Sequence, residues 1–193
     1  MQMNANVNSI CKSVHFHLSN IGKIRKHITF EACEKIIHAL VTSRLDYANA
    51  LLFGIPDLQM KRLQPIMNTA ARILTLTSPS EHITPILKNL HWLPVGFRVL
   101  YKILLLTFKI LNGSAPSYLN ELITPYVPQR NLRSSSENLL IIPKTHTKTY
   151  GERMFSYASP KLWNSLPSAI RDIYDLNNFK TAIKTHLFKT AYQ

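Results

Sequence analysis

Ten carboxylates and two thiols are the side chains with which metal-dependent or nucleophilic chemistry would begin in this chain. Nucleotidyl transfer uses clustered carboxylates to hold two metal ions about 4 Å apart, and no two of the ten acidic residues are adjacent. Asp172 and Asp175 are three residues apart, but their setting IRDIYDLNNF is typical of a surface turn followed by a helix cap. We therefore expect no catalytic residue, and neither a polymerase nor a nuclease centre.

Four other side chains have spacings that suggest a metal site. Cys11 and His15 are four residues apart, and Cys33 and His38 are five apart. Two antiparallel helices would in principle bring all four to one zinc ion, but structural zinc sites usually draw on cysteine pairs in turns. A five-residue separation also places Cys33 and His38 on different helix faces. We expect no metal, and with no GxSxG, Walker or GxGxxG motif we expect no cofactor or small-molecule substrate.

The basic side chains give the strongest signal. Lys and Arg number 23 against 10 Asp and Glu, for a net charge of +13 and a pI near 9.9. Such a balance suits phosphate backbones or another anionic surface. The alternatives are a solvated basic surface, or a fragment whose acidic partner domain is missing.

Some of these residues are patterned as phosphate contacts. Arg98, Lys102 and Lys109 would lie within about 40° of one another on a helix, although a solvated helix face would look the same. Segment 128–161 mixes basic and aromatic residues, as suits single-stranded or hybrid nucleic acid, yet Phe155, Tyr157 and Trp163 are expected in the core. The predicted contacts are Arg98, Lys102, Lys109, Arg130, Arg133, Lys144, Lys148 and Arg153, with Lys61, Arg62 and Arg72 on an earlier helix.

Hydrophobic periodicity predicts a mainly α fold. Helices are expected at 4–25, after a cap at Thr29, from 57, at 84–90, 95–112, 116–123 and 153–166, and from about 175. The apolar run 139–142 predicts a strand pairing near 147–150, and therefore a small β element around 139–150. The polar sequence TLTSPSEH predicts a boundary between a helical segment at 1–78 and a helical domain at 79–193.

An ordered series of phrases extends over nearly the whole chain. They are SRLDYANALLFGIP (43–56), RLQPIMNTAARIL (62–74), HITPILKNLHWLPVGFR (82–98), YKILLLTFKILNGSAPSYLNELITPYVPQRNLRSS (101–135), YGERMFSYASPKLWNSLPSAIR (150–171) and FKTAIKTHLF (179–188). Together they resemble the region after the polymerase domain in LINE-type (non-LTR, jockey-like) retrotransposon polyproteins. The resemblance implies that 1–78 is a thumb-like segment and 79–193 a carboxy-terminal domain. The parent polypeptide copies its RNA into DNA at a nicked chromosomal target.

The departures from that family matter for activity. Its polymerase site has two successive aspartates, whereas the four aspartates of this chain are isolated, and Ala48 stands where the family often has Cys. The resemblance therefore implies a noncatalytic fragment of an RNA-directed DNA polymerase. Its partners would be RNA or DNA and the parent's palm domain, and its location the nucleus. The alternatives are a protein–protein interaction module and a nonfunctional remnant of a mobile element.

Compartment signals are modest. Two cysteines make no disulfide framework, which favours an intracellular, reducing compartment. The amino terminus lacks the apolar core of a signal peptide. The most apolar stretch, 99–111, is shorter than the roughly 20 residues that span a bilayer, so we expect no membrane insertion.

Overall fold

The predicted mainly α class is confirmed. The computed structural model describes residues 2–128, 138–147 and 149–193, and these form nine α-helices joined by short 3-10 and π segments. The helices are α1 Gln2–Ile24, α2 Phe30–Ile37, α3 Ser43–Asp46, α4 Asp57–Thr75, α5 Ile83–Asn89, α6 Val95–Leu111, α7 Phe155–Asn164, α8 Ser168–Arg171 and α9 Leu176–Tyr192. In the described ranges, none of them is both long and apolar enough to cross a membrane.

The chain divides into two compact units. The first unit comprises the residues up to Val99 together with Thr190–Gln193, and the second comprises Leu100–Lys189. The predicted domain boundary after residue 78 remains a prediction. The first unit includes α5, which contacts α4. Arg72 of α4 also donates to the carbonyl oxygen of Glu81, just before α5, at 2.9 Å.

In the first unit, α1 packs along α4 through the apolar positions that the periodicity predicted. Val7, Val14 and Leu18 of α1 are buried because residues three and four apart fall on one helix face. The hydroxyl of Thr29 accepts the N–H of Ala32 at 3.2 Å, which confirms the predicted cap of α2.

A π segment, His38–Thr42, joins α2 to α3. Local widening of a helix changes the hydrogen bonding of its carbonyls. The hydroxyl of Ser43 donates to the carbonyl oxygen of Ala39, and Arg44 Nη1 donates to that of Leu40 at 2.8 Å. These side chains therefore supply extra donors to the carbonyls of the widened turn.

The second unit is built around stacked aromatic rings. Phe179 of α9 lies between Phe108 of α6 and Trp163 of α7, with ring centroids 4.2 Å and 5.8 Å away. Beside them the hydroxyls of Thr107 and Ser159, both fully buried, are 2.7 Å apart. This pair satisfies two polar groups that would otherwise be costly to bury.

The predicted β element around 139–150 is wrong for the part of it that is described. Leu140 forms an isolated antiparallel bridge with Pro125, and no strand is present in 138–147 or 149–150. The backbone of Leu140 is instead occupied by the side chain of Asn164, which accepts its N–H at 2.9 Å and donates to its carbonyl oxygen at 2.8 Å. An asparagine on α7 therefore takes the hydrogen bonds that a partner strand would have made.

Candidate nucleic-acid interface

Two of the three residues of the predicted basic stripe, Lys102 and Lys109, lie on the same face of α6 in the second unit. Lys102 and Lys109 are half-buried, while Ile103, Leu104 and Phe108 of the same helix are buried. Seven residues separate the lysines, which puts them on one face about 10 Å apart along the axis. Neither ammonium group makes a hydrogen bond or ion pair within the described part of the chain. Both ammonium groups are therefore available to a phosphate.

Arg98, the third predicted member of the stripe, is already in an ion pair within the first unit. Its Nε donates to Asp46 Oδ1 at 2.8 Å, and its Nη2 bonds Asp46 Oδ2. The same carboxylate accepts a hydrogen bond from Asn49 at 3.2 Å. A guanidinium in a two-bond pair with a carboxylate has fewer donors left for a phosphate. A phosphate would therefore have to compete with Asp46 for the Arg98 side chain.

The α4 residues differ in exposure. Lys61 and Arg62 are exposed and have no hydrogen-bond or ion-pair partner within the described ranges. Arg72 is half-buried and donates to the carbonyl oxygen of Glu81. The exposed pair is therefore the better candidate for phosphate contact on this helix.

The loop candidates are described only in part. Lys144 is exposed, and Arg153 is half-buried in the 3-10 turn Gly151–Arg153. Gly151 fits closely, because a Cβ there would lie 2.8 Å from the Thr145 Cβ. The predicted contacts Arg130, Arg133 and Lys148 lie outside the described residues.

The aromatic residues that were expected in the core, two of them in segment 128–161 and the third just after it, differ in burial. Trp163 is buried, as expected of a core residue, whereas Phe155 and Tyr157 are half-buried. The Lys161 ammonium lies 5.3 Å from the Tyr157 ring centroid, which is a cation–π distance. That cation already covers the ring on one side.

The lysines of α9 were not among the predicted contacts. This helix carries three lysines and no carboxylate within Leu176–Tyr192. Lys180 and Lys184 are one turn apart, and Lys184 and Lys189 are exposed. None of the three has a hydrogen-bond or ion-pair partner in the described structure. The absence of any acidic residue over seventeen positions was the signal that pointed to them.

Arg25 shows how a basic residue can be purely structural. It is only 8% exposed, and its Nε and Nη2 donate to the carbonyl oxygen of Leu74 at 3.0 and 2.8 Å. Its Nη1 donates to the carbonyl oxygen of Ile28 at 3.0 Å. Arg25 therefore caps the carboxyl end of α4, where a cation also complements the helix dipole.

The Cys33 thiol is buried in the first unit. Burial raises the pKa of the Cys33 thiol, and the nearby charge of Arg25 offsets this only in part. A thiol with a raised pKa is a weaker nucleophile at neutral pH, because less of it is ionised. No three His, Cys, Asp or Glu side chains come together as metal ligands within 2–128, 138–147 and 149–193.

Lysines without partners stand on helices that are otherwise packed, and most of the described arginines of the first unit hold the backbone together. Comparison of the chain with family models, with curated proteins and with solved structures gives no match.

Proposed function

We propose that this protein is a noncatalytic nucleic-acid-binding segment, similar to the region after the polymerase palm of non-LTR retrotransposon reverse transcriptases. The observation that carries the proposal is a set of basic side chains with no partner in the described structure. They are Lys61, Arg62, Lys102, Lys109, Lys144, Lys180, Lys184 and Lys189. Such groups release condensed counterions when they meet phosphates, which is the main source of sequence-independent affinity.

The chemistry of the acidic residues supports the noncatalytic part of the proposal. The sequence has no adjacent carboxylates. Asp46, the most enclosed of the acidic groups discussed, is paired with Arg98. A two-metal site needs several carboxylates turned toward one point, and this carboxylate is turned toward a guanidinium.

The partners proposed on the same grounds are RNA or DNA and, by resemblance, a polymerase palm domain in the nucleus. Phosphate contacts do not distinguish the two nucleic acids, because the charge pattern of the backbone is shared. Discrimination between them requires contact with bases or with the 2′-hydroxyl.

Salt-dependent binding of short single-stranded, duplex and hybrid oligonucleotides tests the proposal. The double substitution Lys102→Ala/Lys109→Ala should weaken binding and reduce the slope of log K against log salt by about 0.7 per lost contact on single strands, or about 0.9 on duplex. The matched control is Lys23→Ala/Lys26→Ala, which removes two exposed lysines outside the predicted set. Its slope should not change.

Two results would contradict the proposal. One is failure of the wild-type chain to bind any of the oligonucleotides at low salt. The other is an equal loss of affinity in the test variant and in the control variant. That result would mean that binding depends on net charge and not on a particular surface.

A protein–protein interaction module is the second candidate. It is favoured by exposed apolar side chains in the first unit, namely Tyr47, Leu51 and Leu58, which are 82%, 66% and 76% exposed. Large apolar groups at the surface often mark interaction sites. If this reading is right, Leu51→Ser/Leu58→Ser should leave oligonucleotide binding unchanged and abolish the capture of a palm domain supplied as a purified protein.

A further inference from the structure

The second unit contains a cavity that the basic surface does not explain. Its volume is about 260 Å³, and residues from five segments of the unit line it, including Asn112, Tyr126, Asn138, Trp163, Arg171 and Tyr174. A cavity of about 260 Å³ holds several water molecules. This volume is below the usual 300–1,000 Å³ of sites for drug-sized ligands, so a small group is the better fit.

Hydrogen bonds fix the wall of the cavity formed by Asn138. Trp163 Nε1 donates to the Asn138 carbonyl oxygen at 2.8 Å, and the Asn138 amide nitrogen donates to Asp172 Oδ1 at 2.9 Å. Asn138 also has a left-handed backbone, with φ of 49°, a conformation that asparagine tolerates better than most residues. Two hydrogen bonds therefore hold this residue in place without any ligand.

A second set of backbone hydrogen bonds fixes the neighbouring segment, 124–126. The N–H of Tyr126 donates to the carbonyl oxygen of Leu139, and the N–H of Ile141 donates to that of Thr124, both at 2.9 Å. Tyr126 is consequently held beside the segment that contains Asn138. The part of the wall that Tyr126 and Asn138 share is therefore anchored by hydrogen bonds.

The lining combines three kinds of chemistry. Arg171, only 8% exposed, brings a permanent positive charge. Tyr126 and Tyr174, which are 40% and 79% exposed, bring aromatic rings with polar tips. Asn112 and Asn138 bring amide groups. Each amide nitrogen already donates one hydrogen bond, to the carbonyl oxygen of Phe108 and to Asp172 Oδ1, so one N–H and the amide oxygen of each residue remain for a ligand. A cationic ligand is disfavoured by the arginine, and a purely aliphatic ligand would leave the polar groups unmatched.

A nucleobase matches all three kinds of group. Unpaired bases are recognised by stacking on aromatic side chains or on the guanidinium plane, and by hydrogen bonds to their edges. We propose that this cavity receives one unstacked base of a single-stranded nucleic acid. Tyr174 at the rim provides the stacking surface, and Arg171 donates to an acceptor on the base edge. The inference rests on the proposed function and adds a contact that lysine–phosphate pairing does not supply.

The test compares two oligonucleotides with equal charge. One is a single-stranded octamer with all its bases, and the other is an abasic octamer with the same sugar–phosphate backbone. Stacking one base contributes enough free energy for roughly a ten-fold difference in affinity. We therefore expect the wild-type chain to bind the base-containing strand about ten-fold more tightly.

Variants of the rim locate the effect. Tyr174→Ala should remove most of the ten-fold preference, whereas Tyr174→Phe should retain it, since the ring and not the hydroxyl stacks. Tyr118→Ala is the matched control, because Tyr118 is a 69% exposed tyrosine of the same unit that does not line the cavity. Since Tyr174 is largely exposed, its removal should leave the melting temperature unchanged.

The outcomes separate this inference from the proposed function. Equal binding of the two octamers, or an equal effect of Tyr174→Ala and Tyr118→Ala on the preference, would overturn the base pocket while leaving the lysine surface intact. Loss of all binding in the Lys102→Ala/Lys109→Ala variant together with a full base preference in the wild type would support both. A nucleoside monophosphate that binds as tightly as the octamer would overturn the assignment to a strand, because such a ligand meets few of the lysines.

Discussion

The two units use their polar and basic residues differently. In the first unit four of the five arginines donate to neighbouring groups, as Arg25 does to Leu74 and Arg98 does to Asp46. Arg62 is the exception among them. In the second unit the backbone contacts are made by asparagines such as Asn164, while Lys102 and Lys109 stand without partners. The net charge of a protein therefore does not measure how many of its charged side chains are available to a ligand.

The physical reason lies in the geometry of the two side chains. A guanidinium offers five N–H donors in a planar fork, so it can satisfy several carbonyls at a helix end. An ammonium is a strongly hydrated point charge on a flexible stem and loses more by being fixed inside. Most arginines of the first unit therefore bond within the protein, whereas Lys102 and Lys109 of the second unit remain for a partner.

The largest expected effect is on the aromatic centre of the second unit. Phe179→Ala should destabilise the protein by about 3–5 kcal/mol, since it leaves a cavity between two packed rings. Urea denaturation followed by tryptophan emission measures this. Trp163, which stacks on Phe179, should shift its emission in the native state. Tyr150→Ala, at an exposed aromatic of the same unit, should change stability by less than about 0.5 kcal/mol. A similar cost for both variants would refute the central role of the stack.

The next effect tests the structural use of arginine in the first unit. Arg25→Met keeps much of the apolar stem but removes donors to the carbonyls of Leu74 and Ile28, which should cost about 2–4 kcal/mol. The matched control is Lys26→Met at the neighbouring exposed position, where we expect almost no change. If Arg25→Met weakened oligonucleotide binding without lowering stability, the contrast between the units would fail.

The smallest effect concerns Tyr192, whose hydroxyl donates to the carbonyl oxygen of Trp92 in the first unit at 2.5 Å. Loss of this bond in Tyr192→Phe should cost about 1 kcal/mol near neutral pH. Burial raises the pKa of Tyr192 to about 12, above the value near 10 of a tyrosine in an unfolded chain. The stabilisation is therefore complete below about pH 10 and is lost as the pH rises toward 12.

Thermal denaturation at several alkaline pH values tests this linkage. The wild-type melting temperature should fall more steeply than that of Tyr192→Phe between about pH 10 and 12, because the variant lacks the titrating group. Parallel curves would show that the hydroxyl contributes no pH-dependent stability.

Much of the helical architecture was predictable from local patterns. The periodicity of Val7, Val14 and Leu18, the cap at Thr29 and the apolar positions around Phe179 predicted α1, α2 and α9 to within a few residues. These signals are local, since a helix is made of contacts three and four residues apart. Where a contact spans many residues, as between Asn164 and Leu140, the apolar run alone wrongly suggested a strand.

The sequence predicted that the candidate site consists of basic residues, but it did not predict which of them are available to a ligand. The excess of Lys and Arg over Asp and Glu is a property of composition, and the face shared by Lys102 and Lys109 follows from helix geometry. That Arg98 would be paired with Asp46, 52 residues away, depends on how the chain folds back. The lysines of α9 were missed because no basic–aromatic pattern drew attention to them.

The amino-acid sequence by itself determined the helical class, the positions of most helix ends, the high positive charge and the lack of adjacent carboxylates. The tertiary structure decided which cations are used internally, which backbone groups Asn164 satisfies, and that a cavity forms beside Arg171. This division follows from the distance along the chain over which each kind of interaction acts. Propensity, capping and charge count act within one or two helical turns, whereas pairing and enclosure depend on residues that meet only after folding.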